Sequence, residues 1–102
     1  MSPMQRSLKL LKERGYHCDI TEHYNFFSKK RHDLWGWCDI ICLGPLHILA
    51  VQTTTKANMA ARKKKILSSN TFPLVRQNMV MVVLHGWHKK KGKWVCETQE
   101  LT

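Results

Sequence analysis

Two apolar runs meet at a Gly-Pro turn in the stretch Trp37 to Lys56, WCDIICLGPLHILAVQTTTK, and this constrains the fold more than any other feature of the chain. Residues 37–43 and 47–54 read as the arms of a hairpin around Gly44-Pro45-Leu46-His47. Strand side chains alternate between faces, so pairing Leu43 with Ile48 brings Asp39 opposite Gln52 and leaves Thr54 on the same face. A slip of one residue would turn Gln52 away from Asp39. Both arms are apolar on both faces, as central strands covered by helices are. One acid and one amide would then sit at the end of a buried hairpin, a setting that suits a hard cation and a phosphate.

The rest of the chain surrounds that hairpin. Ser2-Pro3 precede a helical pattern over residues 3–14 with Met4, Leu8 and Leu11 on one face, and Gly15 stops it. Residues 16–24 alternate Tyr16, Cys18 and Ile20 against His17, Asp19 and Thr21, which predicts a half-exposed strand. Residues 25–32, NFFSKKRH, read as a basic loop with two aromatics, able to touch nucleic acid. Thr54 or Thr55 can cap a second helix from Lys56 to about Leu67, whose N-terminal end would open onto the hairpin's polar end. A short helical turn is expected over residues 71–78 and a buried strand over 79–84, which His85-Gly86-Trp87 leaves. A lysine-rich turn at residues 89–93 leads into an edge strand over 94–101. The expected architecture is one α/β domain over residues 1–102, in the order α-β-β-β-α-β-β with a mixed central sheet.

With 17 Lys and Arg against 7 Asp and Glu, the net charge of +10 favours polyanionic partners, because each neutralised phosphate releases condensed counterions. Charge alone speaks for binding and not for catalysis; basic ribosome-associated proteins share it. The four cysteines include no CxxC pair, so buried reduced thiols are expected rather than a zinc site, although Cys38 and Cys42 fall on one strand face. No segment has the length of a membrane span or the apolar run of a signal peptide, so a soluble cytoplasmic protein is expected.

Order and motif together resemble the PD-(D/E)XK nuclease superfamily: a helix, a three-stranded meander, a helix and a further strand, with Asp early in the second strand and Glu-x-Lys on the third. Asp39 takes the first position, Gln52 the Glu position and Thr54 the Lys position. The run CDIICLGPLHILAVQTT is similar to archaeal-type Holliday junction resolvases. A nearer likeness is to small phage and bacterial proteins of the superfamily, carried by Asp33-Leu34-Trp35-Gly36-Trp37-Cys38-Asp39, Val51-Gln52-Thr53-Thr54, Asn58-Met59-Ala60-Ala61-Arg62-Lys63-Lys64-Lys65-Ile66 and His85-Gly86-Trp87.

The resemblance implies a Mg²⁺- or Mn²⁺-dependent endonuclease acting on branched or structured DNA, with a C2 dimer suited to a junction. Asp39, Gln52, the Thr53 carbonyl and Asp33 would hold the ion. Asp39, Gln52, Thr54 and Lys56 would form the catalytic set, with Lys56, Arg62 or Lys65 standing in for the motif lysine. Lys29, Lys30, Arg31, Asn58, Arg62, Lys63, Lys64 and Lys65 would contact DNA. Gln5 falls near the place of the helical Glu that resolvases carry. Gln-x-Thr in place of Glu-x-Lys removes one charge of each sign. The same fold also suits a nucleic-acid-binding module without cleavage, or a phage inhibitor that occupies a host protein.

Plainer roles stand beside these. Asp39 can be a strand-end acid held by backbone N–H groups, and Asp33 an ion-pair partner of Lys30 or Arg31. Arg62 to Lys65 can be a solvated helix face. Trp35, Trp37, Trp87 and Trp94 belong more often to a core than to a base stack, and His85 more often to the structure than to proton transfer.

Overall fold

The computed structural model describes all of residues 1–102. Helix α1, Pro3–Glu13, starts at a capping box in which Gln5 N–H donates to Ser2 Oγ and Ser2 N–H to Gln5 Oε1, so the sequence sets the entry to this helix itself. Strand β1, His17–Ile20, follows the Gly15 stop. Strands β2, His23–Asn25, and β3, Lys30–His32, form a separate hairpin. Residues 25–32 are therefore not a loop as expected, but the tip and return strand of that hairpin.

Strands β4, Ile40–Leu43, and β5, Ile48–Thr55, pair in the register that parity requires, Ile40 with Val51 through Leu43 with Ile48. A 3₁₀ turn, Lys56–Asn58, then leads into α2, Met59–Leu67, and α3 spans Phe72–Gln77. Neither Thr54 nor Thr55 caps through its side chain, because the strand runs on to Thr55 and the 3₁₀ turn intervenes. Strand β6, Met81–Lys90, continues through His85-Gly86-Trp87 instead of ending there, and β7 is Lys93–Leu101.

The five-stranded sheet runs β1-β4-β5-β6-β7. Only the β5–β6 pair is parallel, since α2 and α3 form its crossover; the other neighbours are antiparallel. Alternation divides the core. Leu11 of α1 packs with Ile40, Cys42, Leu49, Val51 and Val83 on one face. Ala50, Val82 and Leu84 pack with Ile66 of α2 and with Phe72 and Val75 of α3 on the other.

The His-Gly-Trp run on β6 has a structural use on each face. Trp87 Nε1 donates to buried Ser7 Oγ at 2.8 Å, and the same hydroxyl shares a hydrogen bond with His85 Nδ1 at 2.9 Å, pinning α1 to the sheet. Burial, with the Arg14 charge adding to it, pushes the His85 imidazole down to about 4 and keeps it neutral. Gly86 faces the opposite way. A Cβ there would overlap Met59 and lie 3.2 Å from the Lys56 Cα, so glycine lets the 3₁₀ turn cross close over β6.

Candidate metal centre

The hairpin β4–β5 ends in a distortion that builds the site. Val51, already the partner of Ile40, also accepts the N–H of Asp39 at 2.8 Å. Two successive residues thus face one, the pattern of a β-bulge, and such bulges re-aim side chains. Asp39 consequently meets two residues of β5 instead of one. Its Oδ2 accepts from Gln52 Nε2 at 2.9 Å, from the Thr53 N–H at 2.8 Å and from Thr53 Oγ1 at 3.2 Å. The bulge also parts two thiols expected on one face: Cys38 lies in the core under α2 and α3, Cys42 in the core under α1. All four cysteines are free, and burial pushes the Cys38 thiol up to about 12 and the Cys42 thiol upward as well.

Asp39 is 4% exposed and Gln52 2%. Burial pushes the Asp39 carboxyl up to about 6; the Thr53 backbone N–H opposes the rise, and the charges of Asp33 and Glu22 add to it. Those two acids complete a cluster: Glu22, Asp33 and Asp39 each place one oxygen within 4.8 Å of the others, an arrangement that could hold a metal ion. Three carboxylates gathered on one side suit a hard cation such as Mg²⁺ or Mn²⁺.

The cluster lines a pocket of about 270 Å³ together with Gln52, Thr53, Thr54, Thr55, Arg31 and Arg62, and with Ser2, Pro3 and Met4 at the start of α1. Gln52 Oε1 is buried there without a hydrogen-bond partner. A buried amide oxygen left alone costs the fold free energy that a cation or its water shell would recover, so the residues present fit a divalent ion. Arg31 Nη1 lies 2.9 Å from Glu22 Oε1 and pairs with that acid.

The structure brings together Asp33, Asp39, Gln52, Thr53, Thr54, Arg31 and Arg62 of the residues singled out from sequence. It leaves out others. Lys56 does not line the pocket; it follows β5 in the 3₁₀ turn and its Nζ lies 3.4 Å from Glu97 Oε2 on β7. Asn58, Lys63, Lys64 and Lys65 do not line the pocket; of the basic run on α2 only Arg62 does. Gln52 holds Asp39 through its amide N–H, a positioning contact, while its buried Oε1 has no hydrogen-bond partner. Gln5 serves the α1 cap rather than the site. Trp37 and Trp87 are buried, and the Arg6 guanidinium stacks 3.9 Å over the half-exposed ring of Trp94. His85 lies in its own buried network with Ser7 and Trp87.

Glu22 is the residue sequence reasoning missed. Its signal lay in the β1–β4 pairing: Ile20 faces Ile40, and the Thr21 N–H donates to the Asp39 carbonyl at 2.8 Å, so the chain must deliver Glu22 beside Asp39. No family model, curated protein or solved structure matches the chain.

Proposed function

We propose that this chain is a small nuclease-like protein that binds Mg²⁺ or Mn²⁺ through Glu22, Asp33 and Asp39 and cuts the phosphodiester backbone of branched or structured DNA. The observation that carries this reading is the three-carboxylate cluster set beside two arginines in one polar pocket of a chain with net charge +10. The PD-(D/E)XK resemblance supports it, with Glu22 and Asp33 supplying the carboxylate that Gln52 lacks. A divalent cation, when bound, supplies charge neutralisation and activation of water.

The protein's own groups do the remainder. Gln52 and Thr53 fix the Asp39 carboxylate in one orientation through its Oδ2, the kind of support that tunes a ligand. Arg62, from α2, is the helix cation placed to steady charge that develops on the phosphate. Arg31 can exchange Glu22 for a phosphate oxygen when an ion takes that acid. Thr54 carries no charge, so the lysine of the superfamily motif has no replacement at its own position.

Incubation of the pure protein with labelled junction, duplex and single-stranded DNA, with Mg²⁺, Mn²⁺ or EDTA, tests the reading. Cleavage that requires metal and disappears in Asp39→Asn and Glu22→Gln is the expected result. A second reading, DNA binding without cleavage, draws on the missing lysine and on the three donors that occupy Asp39 Oδ2. Metal-independent binding with no cleavage, unchanged by either substitution, would replace the first reading with the second.

A further inference from the structure

The β2–β3 hairpin buries almost nothing, yet it carries the most exposed aromatic residues of the chain. Phe26 is 82% exposed and Phe27 fully so, at its tip, with Tyr24 half-exposed on β2 and edge-on to Phe26 at 5.2 Å. Two phenylalanines left in water forgo the stabilisation that burial of such side chains gives, so the pair marks a surface made to be covered. The tip is nonetheless built. Asn25 Oδ1 accepts the N–H groups of Phe27 at 2.9 Å and Ser28 at 3.2 Å, and Lys29 takes the left-handed conformation that closes the turn.

Cations adjoin the aromatics: Lys29 closes the tip, and Lys30 and Arg31 return along β3, with Arg31 opposite Tyr24 and paired with Glu22 at the hairpin's foot. Aromatic faces with lysine and arginine between them fit single-stranded nucleic acid, whose bases stack while its phosphates pair. The same charges oppose a second copy of a chain that carries +10. The hairpin's feet fix its relation to the metal centre. Glu22 immediately precedes β2 and Asp33 immediately follows β3, so two of the three clustered carboxylates are the hairpin's ends. Three strand residues span roughly 10 Å from foot to tip, about three nucleotides at the 3.4 Å rise of a stacked strand.

We infer that the β2–β3 hairpin is a stacking finger that selects unpaired bases, holding a single-stranded or splayed segment on Phe26 and Phe27 with the strand's backbone about three nucleotides away at the Glu22–Asp33–Asp39 pocket. This rests on the proposed action on a phosphodiester backbone. It gives that site a substrate class: nucleic acid with an unpaired strand next to the scissile phosphate, over fully paired duplex.

The test is fluorescence anisotropy in EDTA with labelled oligothymidylate, a forked duplex and a blunt duplex, on the wild type and on Phe26→Ala/Phe27→Ala. Both side chains are exposed, so the variant should melt as the wild type does and keep its Mn²⁺-induced melting shift. The expected result is tighter wild-type binding to oligothymidylate and fork than to blunt duplex, and a loss of tenfold or more for the first two in the variant with blunt duplex changed less than twofold. Equal losses on all three DNAs, no loss on any, or a wild-type dimer that the variant dissolves in light scattering would overturn the inference. Absence of a Mn²⁺ shift in the wild type sinks the metal reading alone, because the stacking preference is measured without metal.

Discussion

Asp39→Asn separates an acid kept for a cation from an acid kept for the fold. Burial and two neighbouring carboxylates raise the Asp39 carboxyl from 3.8 to about 6, so its charged form is disfavoured in the folded protein. A rise of roughly two pKa units corresponds to about 3 kcal/mol at pH 7, since each unit is about 1.4 kcal/mol. Asparagine keeps an acceptor for the Thr53 N–H and for Gln52 but loses the strength a charge gives those bonds. A net gain of about 1–2 kcal/mol remains, or about 5–10 °C in a domain of this size. The sign fixes the pH window. The ionisation cost is present above about 6 and gone once both folded and unfolded carboxyls are protonated below about 4. Circular dichroism melts in EDTA should therefore show the variant above wild type at pH 7, with the advantage vanishing toward pH 4. Saturating Mn²⁺ should reverse the order, raising wild type by about 3 kcal/mol at a hundredfold excess over the dissociation constant and leaving the variant unmoved. A variant that melts several degrees below wild type at pH 7 in EDTA refutes the reasoning and makes Asp39 a structural acid.

His85 titrates in the opposite sense: the neutral form favoured by burial contributes stability that is complete above about 6.5 and lost as pH falls toward 4, so acid melts of Asp39→Asn should fall more steeply than those of wild type. Ser7→Ala removes the partner of both Trp87 and His85 and should cost about 2–4 kcal/mol in urea unfolding, because two buried polar groups lose a partner. Gly86→Ala should cost about 1–3 kcal/mol by the same measurement, through its overlap with Met59 and the close Lys56 backbone. Lys56→Ala breaks only a half-exposed pair with Glu97; it should shift stability by under about 1 kcal/mol and leave Mn²⁺ binding unchanged in calorimetry.

The central hairpin was legible because its two-sided apolar pattern and Gly-Pro turn admit one register, and Ile40 to Leu43 pair with Val51 to Ile48 as parity demands. Helix α1 was legible from Ser2-Pro3 and Gly15, which act locally. The bulge at Asp39 was not, since it depends on the carbonyl of Val51, the residue that already faces Ile40, and no residue type there announces it. Residues 25–32 lack alternation and end in a strand formed wholly of exposed residues, so no burial pattern could mark the second arm of the hairpin. Strand β6 runs past residue 84, through His85-Gly86-Trp87, because Gly86 lets it pass close under the 3₁₀ turn and stay in the sheet. Asp39, Asp33 and Gln52 could be found from one segment and its pairing. Glu22 required the antiparallel β1–β4 pairing, a long-range contact that local pattern does not encode.

Glu22, Asp33 and Asp39 form the cluster that could hold the ion. Titration of Mn²⁺ into wild type and Glu22→Gln, followed by the loss of the free-ion electron paramagnetic resonance signal, tests that most directly. Glu22→Gln leaves the buried Asp39–Gln52–Thr53 contacts untouched and removes one ligand at the hairpin's foot. The expected result is one Mn²⁺ per wild-type chain and affinity at least tenfold weaker in the variant. Equal binding by both proteins, or none by the wild type, contradicts it.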